Sequence, residues 1–258
     1  MIEEFLTDQE YNNYFTTTLN EVRKKITNDL PIRQKITILD LASGYGYFAI
    51  AIAKQRDVNI VAIDITENDI FESKINVKVE KLTNRIEIFQ MDATKMTFPD
   101  KNFDMIVNFL GLEDIHMTRG KEGVKKIFLE ASRVIKPVGY FCFVVMPPEE
   151  METEAQKIEV RLFSHICDAT WLSAKEYETM YENAGFRIIN KRNYYTGKKL
   201  TSEQAKNEIK LACENVPKIY GINTPSFEKV WQKFGKDIEK HGLAHYSKVV
   251  FYITQKLK

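Results

Sequence analysis

Three aspartates and two glycines stand where apolar, strand-like segments of the sequence end. Asp40 lies in ILDLASGYG, four residues before Gly44, and Gly46 follows it. Asp64 is near the end of VNIVAIDI, and Asp92 is near the end of RIEIFQMDA. Carboxylates accept hydrogen bonds from hydroxyl and amino groups, and glycine lets the backbone come close to a ligand. The pattern therefore predicts a site for a ligand that carries hydroxyl and amino groups.

The segments that would position these residues alternate between strand and helix patterns from residue 36 to about 146. Strands separated by helices of this length are typical of a doubly wound α/β fold with a parallel sheet. In such folds, ligands bind beyond the carboxyl ends of the strands, where the two glycines fall. The predicted strands are 36–42, 58–65, 85–93, 103–112 and 139–147, and the segment 123–136 has helical spacing.

The rest of the chain is predicted to be mostly helical, with two further strands at 186–196 and 244–255. Ser173 and Glu176 form a capping-box pattern, and Gly185 is a typical helix end. The N-terminal segment EYNNYFTTTLNEVRKKI is helical in pattern. The predicted division is an N-terminal helical cap over 1–30, a core over 31–196 and 245–258, and a helical insert or lid over 197–244.

The composition is that of an ordinary globular protein, with 44% hydrophobic and 28% charged residues. No apolar run approaches the roughly 20 residues that cross a bilayer, and the acidic N-terminus lacks a signal-peptide layout. The three cysteines are widely spaced, so neither a disulfide framework nor a metal site is expected. These features predict a cytoplasmic protein.

The net charge of +1 conceals an asymmetry between the two parts of the chain. Residues 187–258 contain 15 Lys and Arg against 6 Asp and Glu, a net charge of +9. Such a basic region suits an anionic substrate or nucleic acid, although lysines on the solvated faces of helices are an equally good interpretation.

Two cofactor classes fit the glycine turn. Gly44, Gly46 and Ala49 satisfy the dinucleotide pattern G-x-G-x-x-G/A, with Asp64 near the expected ribose position. However, Asp40 lies within the strand end, where dinucleotide folds normally keep apolar residues. Three acids at successive strand ends suit S-adenosylmethionine, which carries a ribose diol, an adenine, an ammonium and a sulfonium but no phosphate.

The sequence resembles the class I S-adenosylmethionine-dependent methyltransferases over residues 36–196 and the closing strand. The resemblance is carried by LDLASGYG, the aspartate of VAIDI, MDATKMTFPDKNFDMIVNFLGLEDI and FLEASRVIKPVGYF. NFLGLED is locally similar to the quinone-biosynthesis C-methyltransferases. Ala42 departs from the family's D-x-G-x-G-x-G pattern, where the first glycine would stand.

The resemblance implies a seven-stranded sheet whose last strand is antiparallel, and S-adenosylmethionine as the cofactor. It places Asp64 on the ribose and Asp92 near the adenine, and it lets the N-terminal helix with Tyr14 close over the cofactor. The expected cofactor-binding residues are Tyr14, Asp40, Ala42, Ser43, Gly44, Gly46, Asp64, Ile65, Asp92, Ala93, Asn108 and Leu110.

The same resemblance implies that the methyl group of the cofactor faces residues 108–117. His116 is the preferred general base, because its ordinary pKa near 6.5 suits proton removal at neutral pH. Glu113 is the second candidate, as a base or as a ligand for an amine. A surface histidine without a role is an equally strong interpretation of His116.

The methyl acceptor is expected to be a small molecule. The chain lacks an NPPY-type motif, a cysteine pair of the RNA cytosine methyltransferase kind and a separate RNA-binding domain. The basic insert would suit an anionic acceptor. The alternatives are an RNA or protein methyltransferase that docks its substrate on the insert, an NAD-dependent oxidoreductase, and a silent cofactor-binding subunit.

Overall fold

A computed structural model describes residues 3–32 and 35–258 and is built around a seven-stranded sheet. In the order of the sheet, the strands are β4 (Ile86–Gln90), β3 (Asn59–Asp64), β2 (Thr37–Leu41), β5 (Phe103–Phe109), β6 (Ile135–Val145), β10 (Lys248–Lys256) and β7 (Phe186–Tyr195).

The strands from β4 to β6 are parallel, and β10 is antiparallel to both of its neighbours. In β2, Asp40 lies in register between Ala62 of β3 and Val107 of β5, at the centre of the sheet. Near-continuous apolar runs form these central strands because both faces of a parallel sheet are covered by helices. The predicted fold class and the antiparallel last strand are confirmed.

Helices cover both faces of the sheet and occupy the C-terminal insert. They are α1 (Asp8–Asn12), α2 (Thr18–Asp29), α3 (Tyr47–Gln55), α4 (Glu67–Val79), α5 (Gly111–Val134), α6 (Glu154–Ile166), α7 (Ala174–Asn183), α8 (Ser202–Tyr220) and α9 (Phe227–His241), with a short 3₁₀ turn at Pro148–Glu150. The capping box that opens α7 is confirmed, since Ser173 and Glu176 each accept a hydrogen bond from the other's backbone N–H.

A second, small sheet joins the N-terminus to the two ends of the insert. It consists of β1 (Glu4–Phe5), β8 (Lys198–Leu200) and β9 (Leu243–Ala244), in the order β1-β8-β9. Strands β8 and β9 are antiparallel, with Lys199 opposite Ala244. The helical insert predicted between the last two core strands is therefore present, and it enters and leaves through adjacent strands.

Several predicted boundaries are wrong. The strand predicted over 103–112 ends at Phe109, because Leu110 adopts the left-handed conformation (φ 62°) and α5 begins at the next residue. The following strand begins at Ile135 instead of residue 139. The N-terminal segment predicted as one helix forms two, α1 and α2, with a turn between them.

Candidate functional site

A cavity of about 500 Å³ lies at the carboxyl ends of β2, β3 and β4. This is the edge of the sheet where an open α/β fold binds its ligand. The cavity falls within the volume range of roughly 300–1,000 Å³ that is usual for cofactors and drug-sized ligands. The lining includes half of the predicted cofactor-binding residues, namely Ala42, Gly44, Asp64, Ile65, Asp92 and Ala93.

The glycine turn between β2 and α3 forms one wall of this cavity. Gly44 (φ 51°) and Gly46 (φ 77°) both adopt positive φ, which glycine tolerates at little cost. A Cβ added to Gly44 would meet no atom within 4 Å, whereas one added to Gly46 would lie 2.4 Å from the hydroxyl of Ser73 in α4. The turn is therefore open at Gly44 and packed tightly against α4 at Gly46.

Asp64 holds the glycine turn in place while it lines the cavity. Its Oδ2 accepts a hydrogen bond from the N–H of Gly44 at 2.9 Å, and its Oδ1 accepts one from the N–H of Thr66 at 3.0 Å. The side chain is buried. Each carboxylate oxygen can accept a further hydrogen bond, so the group can still bind a diol.

Asp40 lies beneath the turn and is outside the cavity lining. It is only 1% exposed, and its Oδ2 has no hydrogen-bond partner. Burial raises the pKa of Asp40 to about 8, and the nearby Asp64 carboxylate adds to this effect. The buried guanidinium of Arg23 in α2 favours the ionised form. Arg23 was not among the predicted site residues, and no motif marks it.

Asp92 is already engaged by protein groups. Its Oδ1 accepts hydrogen bonds from the Thr94 backbone N–H at 2.8 Å and hydroxyl at 2.7 Å, and its Oδ2 pairs with Arg119 at 3.1 Å. Partial burial raises its pKa, but these contacts outweigh that effect and leave the pKa below the usual value. Arg119 is a further cavity residue that the sequence patterns did not indicate.

Asn108 and Leu110 connect the turn to the next part of the site. The Asn108 side chain is fully buried and donates to the Leu41 carbonyl at 2.7 Å, and its Oδ1 has no partner. Leu110 lines a second cavity of about 160 Å³. The two cavities adjoin, since Asp114 and Tyr220 line both of them.

Three carboxyl groups line this second cavity: Glu113 and Asp114 at the start of α5, and Glu159 in α6. Burial raises the pKa of Glu113 and of Glu159 to about 8 in each case. Burial also raises the pKa of Asp114, to about 7, although a hydrogen bond from Tyr220 opposes the shift. These carboxyls can therefore exchange protons near neutral pH.

Neither Asp114 nor Glu159 was among the predicted site residues. The sequence does contain a signal for Glu159, because it stands in the apolar stripe of α6 with Ala155, Ile158 and Leu162. A carboxylate on the buried face of an amphipathic helix needs a partner or a function.

Six predicted site residues lie outside the linings of both cavities, which consist of described residues only: His116, Tyr14, Asp40, Ser43, Gly46 and Asn108. The Nε2 of His116 is hydrogen-bonded to the Thr170 carbonyl at 2.9 Å. Tyr14 is buried, and its hydroxyl donates to the carbonyl of His245. The N-terminal segment thus places Tyr14 in the core.

The polar groups around the turn fit S-adenosylmethionine. Among the described residues, four buried polar atoms around the turn lack partners: Asp40 Oδ2, Ser43 Oγ, Ser73 Oγ and Asn108 Oδ1. A buried polar atom without a partner is costly, and a bound ligand with hydroxyl and amino groups can remove that cost.

In the described ranges, 3–32 and 35–258, no helix has both the length and the apolar character to span a membrane.

The chain is similar in sequence to known methyltransferases. Residues 32–185 match the family model of a methyltransferase domain. The chain is 26% identical to the demethylmenaquinone methyltransferase of Lactobacillus johnsonii over 74% of this chain and 84% of that protein. It is 26% identical to the 27-O-demethylrifamycin SV methyltransferase of Amycolatopsis mediterranei over 55% of this chain, and spans only 53% of that relative.

A solved structure shares the fold over most of the chain. Geranyl diphosphate C-methyltransferase of Streptomyces coelicolor, in complex with S-adenosylhomocysteine, superposes with a TM-score of 0.59 at 11% identity, over 92% of this chain and 76% of that one. The family match covers more than half of the chain. The chain therefore belongs to the class I S-adenosylmethionine-dependent methyltransferases, with similarity to the quinone C-methyltransferases.

Proposed function

We propose that the protein transfers the methyl group of S-adenosylmethionine to a small molecule bound in the second cavity. The observation that carries this proposal is the junction of two cavities at Asp114 and Tyr220, one of cofactor size and one smaller. The relatives named above methylate a quinone precursor and a rifamycin according to their names, which favours a small acceptor.

In this proposal the larger cavity holds the cofactor. Asp64 accepts hydrogen bonds from the ribose hydroxyls, and Asp92 lies near the adenine. The open side of Gly44 leaves room for the cofactor to approach the backbone closely. The bound cofactor supplies an electrophilic methyl group. The protein then aligns the acceptor, excludes water with the aromatic wall of Tyr220 and Tyr246, and takes up a proton.

Binding measurements test the cofactor assignment. We expect calorimetry to show binding of S-adenosylmethionine and S-adenosylhomocysteine, and no binding of NAD. A pyrophosphate at the turn between β2 and α3 would be repelled, because acidic side chains line the cavity beside this turn. Binding of NAD without either sulfur compound would contradict the proposal.

Glu113 is the better placed of the two predicted bases. It lines the second cavity, and its Oε1 accepts a hydrogen bond from the Met146 N–H at 2.8 Å while Oε2 remains free. His116 is held by the Thr170 carbonyl outside both cavity linings. We therefore propose Glu113 as the proton acceptor, with His116 as the alternative.

Substitution distinguishes the two bases. With an acceptor identified by screening small metabolites against labelled cofactor, Glu113→Gln is expected to lower turnover by roughly 100-fold, as is usual for loss of a general base. His116→Ala should leave turnover within about threefold, since that side chain reaches neither cavity in the described chain. Both variants should keep their cofactor affinity. The reverse pattern would assign the base to His116.

The basic insert supports the alternative of a nucleic-acid or protein substrate only through its charge. Neither Lys nor Arg lines the second cavity among the described residues, and the Arg119 of the larger cavity is paired with Asp92. The structure therefore gives no support to the predicted anionic acceptor. The role of the insert as a lid and the cytoplasmic location stay predictions.

A further inference from the structure

The second cavity combines acidic and aromatic side chains. Glu113, Asp114 and Glu159 line it together with Trp171, Tyr220 and Tyr246. Glu113 is 6% exposed and Glu159 is 1% exposed, so neither carboxyl is solvated from outside the fold. The described residues contribute no Lys, Arg or His to the lining. Once these carboxyls are ionised, an anionic ligand would meet uncompensated negative charge there.

Two of the carboxyl groups each leave one oxygen without a partner. Glu113 Oε1 accepts from the Met146 N–H at 2.8 Å, and Glu159 Oε1 accepts from the Tyr246 N–H at 2.7 Å. These contacts fix the side chains, while Oε2 of each is buried and accepts no hydrogen bond in the structure. When its carboxyl is ionised, each free oxygen can accept a hydrogen bond from a ligand.

The cavity also contains one unpaired donor, the indole N–H of Trp171. With both carboxyls ionised, the lining residues supply two free acceptors and one free donor. A ligand that satisfies them must bring more donors than acceptors. An ammonium has three N–H donors and no acceptor. Aromatic faces further stabilise a cation by about 0.5–2 kcal/mol.

We propose that the second cavity binds a small primary amine between Glu113 and Glu159, and that the nitrogen of this amine is the methyl acceptor. This inference rests on the proposed function and names its substrate class. The volume of about 160 Å³ limits the acceptor to a small molecule, since drug-sized ligands occupy roughly 300–1,000 Å³.

The reaction balances with the groups present. Glu113 first takes one proton from the ammonium, which frees the nitrogen lone pair. That lone pair forms the new C–N bond as the C–S bond of the sulfonium breaks, and the electron pair of the broken bond stays on sulfur. The products are the N-methylated ammonium ion of the substrate and the thioether S-adenosylhomocysteine. The proton on Glu113 then returns to solvent.

Ligands matched in shape and different in charge test the assignment. The probes are benzylamine, phenethylamine and isoamylamine, each compared with the alcohol and the carboxylate of similar size, in the presence of S-adenosylhomocysteine. We expect calorimetry to detect at least one amine, with affinity at least tenfold above its alcohol, and no carboxylate. With S-adenosylmethionine, the same amine should gain a methyl group on nitrogen, detected by mass spectrometry.

Glu159→Gln tests the residue that holds the amine. Glutamine keeps the size of the side chain and can still accept from the Tyr246 N–H, so we expect the variant to fold. Its affinity for the amine should fall by tenfold or more, and cofactor affinity should not change. The control is Glu154→Gln, an exposed position in the same helix, which should bind amine as the wild type does.

The affinity for the amine should also rise as the pH increases from 6 to 8. Burial raises the pKa of Glu113 and Glu159 to about 8, so more of each carboxyl is ionised at higher pH, while an aliphatic amine near its usual pKa stays charged. Burial raises the pKa of the other titratable groups around these carboxyls: Asp114, Cys167, Tyr177, Tyr220 and Tyr246. Glu3 contributes a further carboxyl beside Glu159.

The outcomes separate this inference from the proposed function. Binding of the sulfur cofactors together with equal affinity for alcohols or carboxylates would overturn the amine assignment alone, and so would failure of every amine to bind. An unchanged amine affinity in Glu159→Gln would do the same. Failure of the cofactor to bind would overturn the proposed function itself.

Discussion

Asp64→Ala is expected to weaken the binding of S-adenosylmethionine and S-adenosylhomocysteine by about 100-fold or more. Hydrogen bonds to a charged group contribute about 1.5–3 kcal/mol each, and 1.4 kcal/mol corresponds to a tenfold change in affinity. Losing two such bonds to the ribose hydroxyls therefore gives an effect of this size. The same change removes the acceptors for the Gly44 and Thr66 N–H groups, which loosens the turn.

Calorimetry with both sulfur compounds measures this effect, and thermal melting shows whether the variant is folded. Asp64→Asn keeps one carbonyl oxygen and should lose less affinity, about tenfold. Glu67→Gln is the matched control, because Glu67 is exposed at the start of the next helix and lies outside the cavity lining. Affinity within threefold of the wild type in a folded Asp64→Ala variant would remove Asp64 from the cofactor site.

Gly46→Ala is expected to lower the free energy of unfolding by about 3 kcal/mol. The positive φ of 77° costs an L-residue about 1–2 kcal/mol. The new Cβ would also lie 2.4 Å from the Ser73 hydroxyl, so this hydroxyl must rotate away or the turn must shift. Because Gly46 is the N-cap of α3 and lies two residues after Gly44, which lines the cavity, cofactor affinity should fall as well.

Gly44→Ala provides the comparison, since its φ is 51° and its Cβ would meet nothing within 4 Å. Gly44→Ala should lower the free energy of unfolding by only about 1–2 kcal/mol, which corresponds to the conformational part of the loss expected for Gly46→Ala. Ser73→Ala removes a hydroxyl that is buried without a partner, so it should be close to neutral alone and should recover part of the loss in Gly46→Ala. Equal losses for the two glycine variants in urea unfolding would show that the packing against α4 does not matter.

The sheet and half of the candidate cofactor residues in the larger cavity could be predicted because they depend on local signals. Near-continuous apolar runs identify the buried parallel strands, and Gly44, Asp64 and Asp92 follow directly from where those strands end. Boundaries were less predictable where the backbone conformation decides them. Leu110 has a positive φ that is uncommon for leucine, and nothing in its side chain indicates that a strand ends there.

The second cavity could be predicted only in part, through Glu113 and Leu110, because it depends on contacts between distant segments. Glu113, Glu159 and Tyr220 come from three helices that are far apart in sequence and meet only in the folded chain. For His116, the residue type alone suggested a role, and contacts with a distant segment argue against it. Its residue type suggested proton transfer, but the direction of its side chain is set by the Thr170 carbonyl, 54 positions later.

The small sheet at the base of the insert separates the insert from the glycine turn along the chain, although both contribute to the same pair of cavities. The glycine turn and β3, which line the larger cavity, precede residue 95. A segment that starts and finishes at paired strands supplies Ile219 to the larger cavity, Val216 to the second cavity and Tyr220 to both. Such a segment behaves as one very long hairpin loop, and long surface loops change with little thermodynamic cost. Exchange of residues 201–242 between relatives is thus a route by which this fold can change the wall that its two cavities share while the glycine turn and β3 are retained.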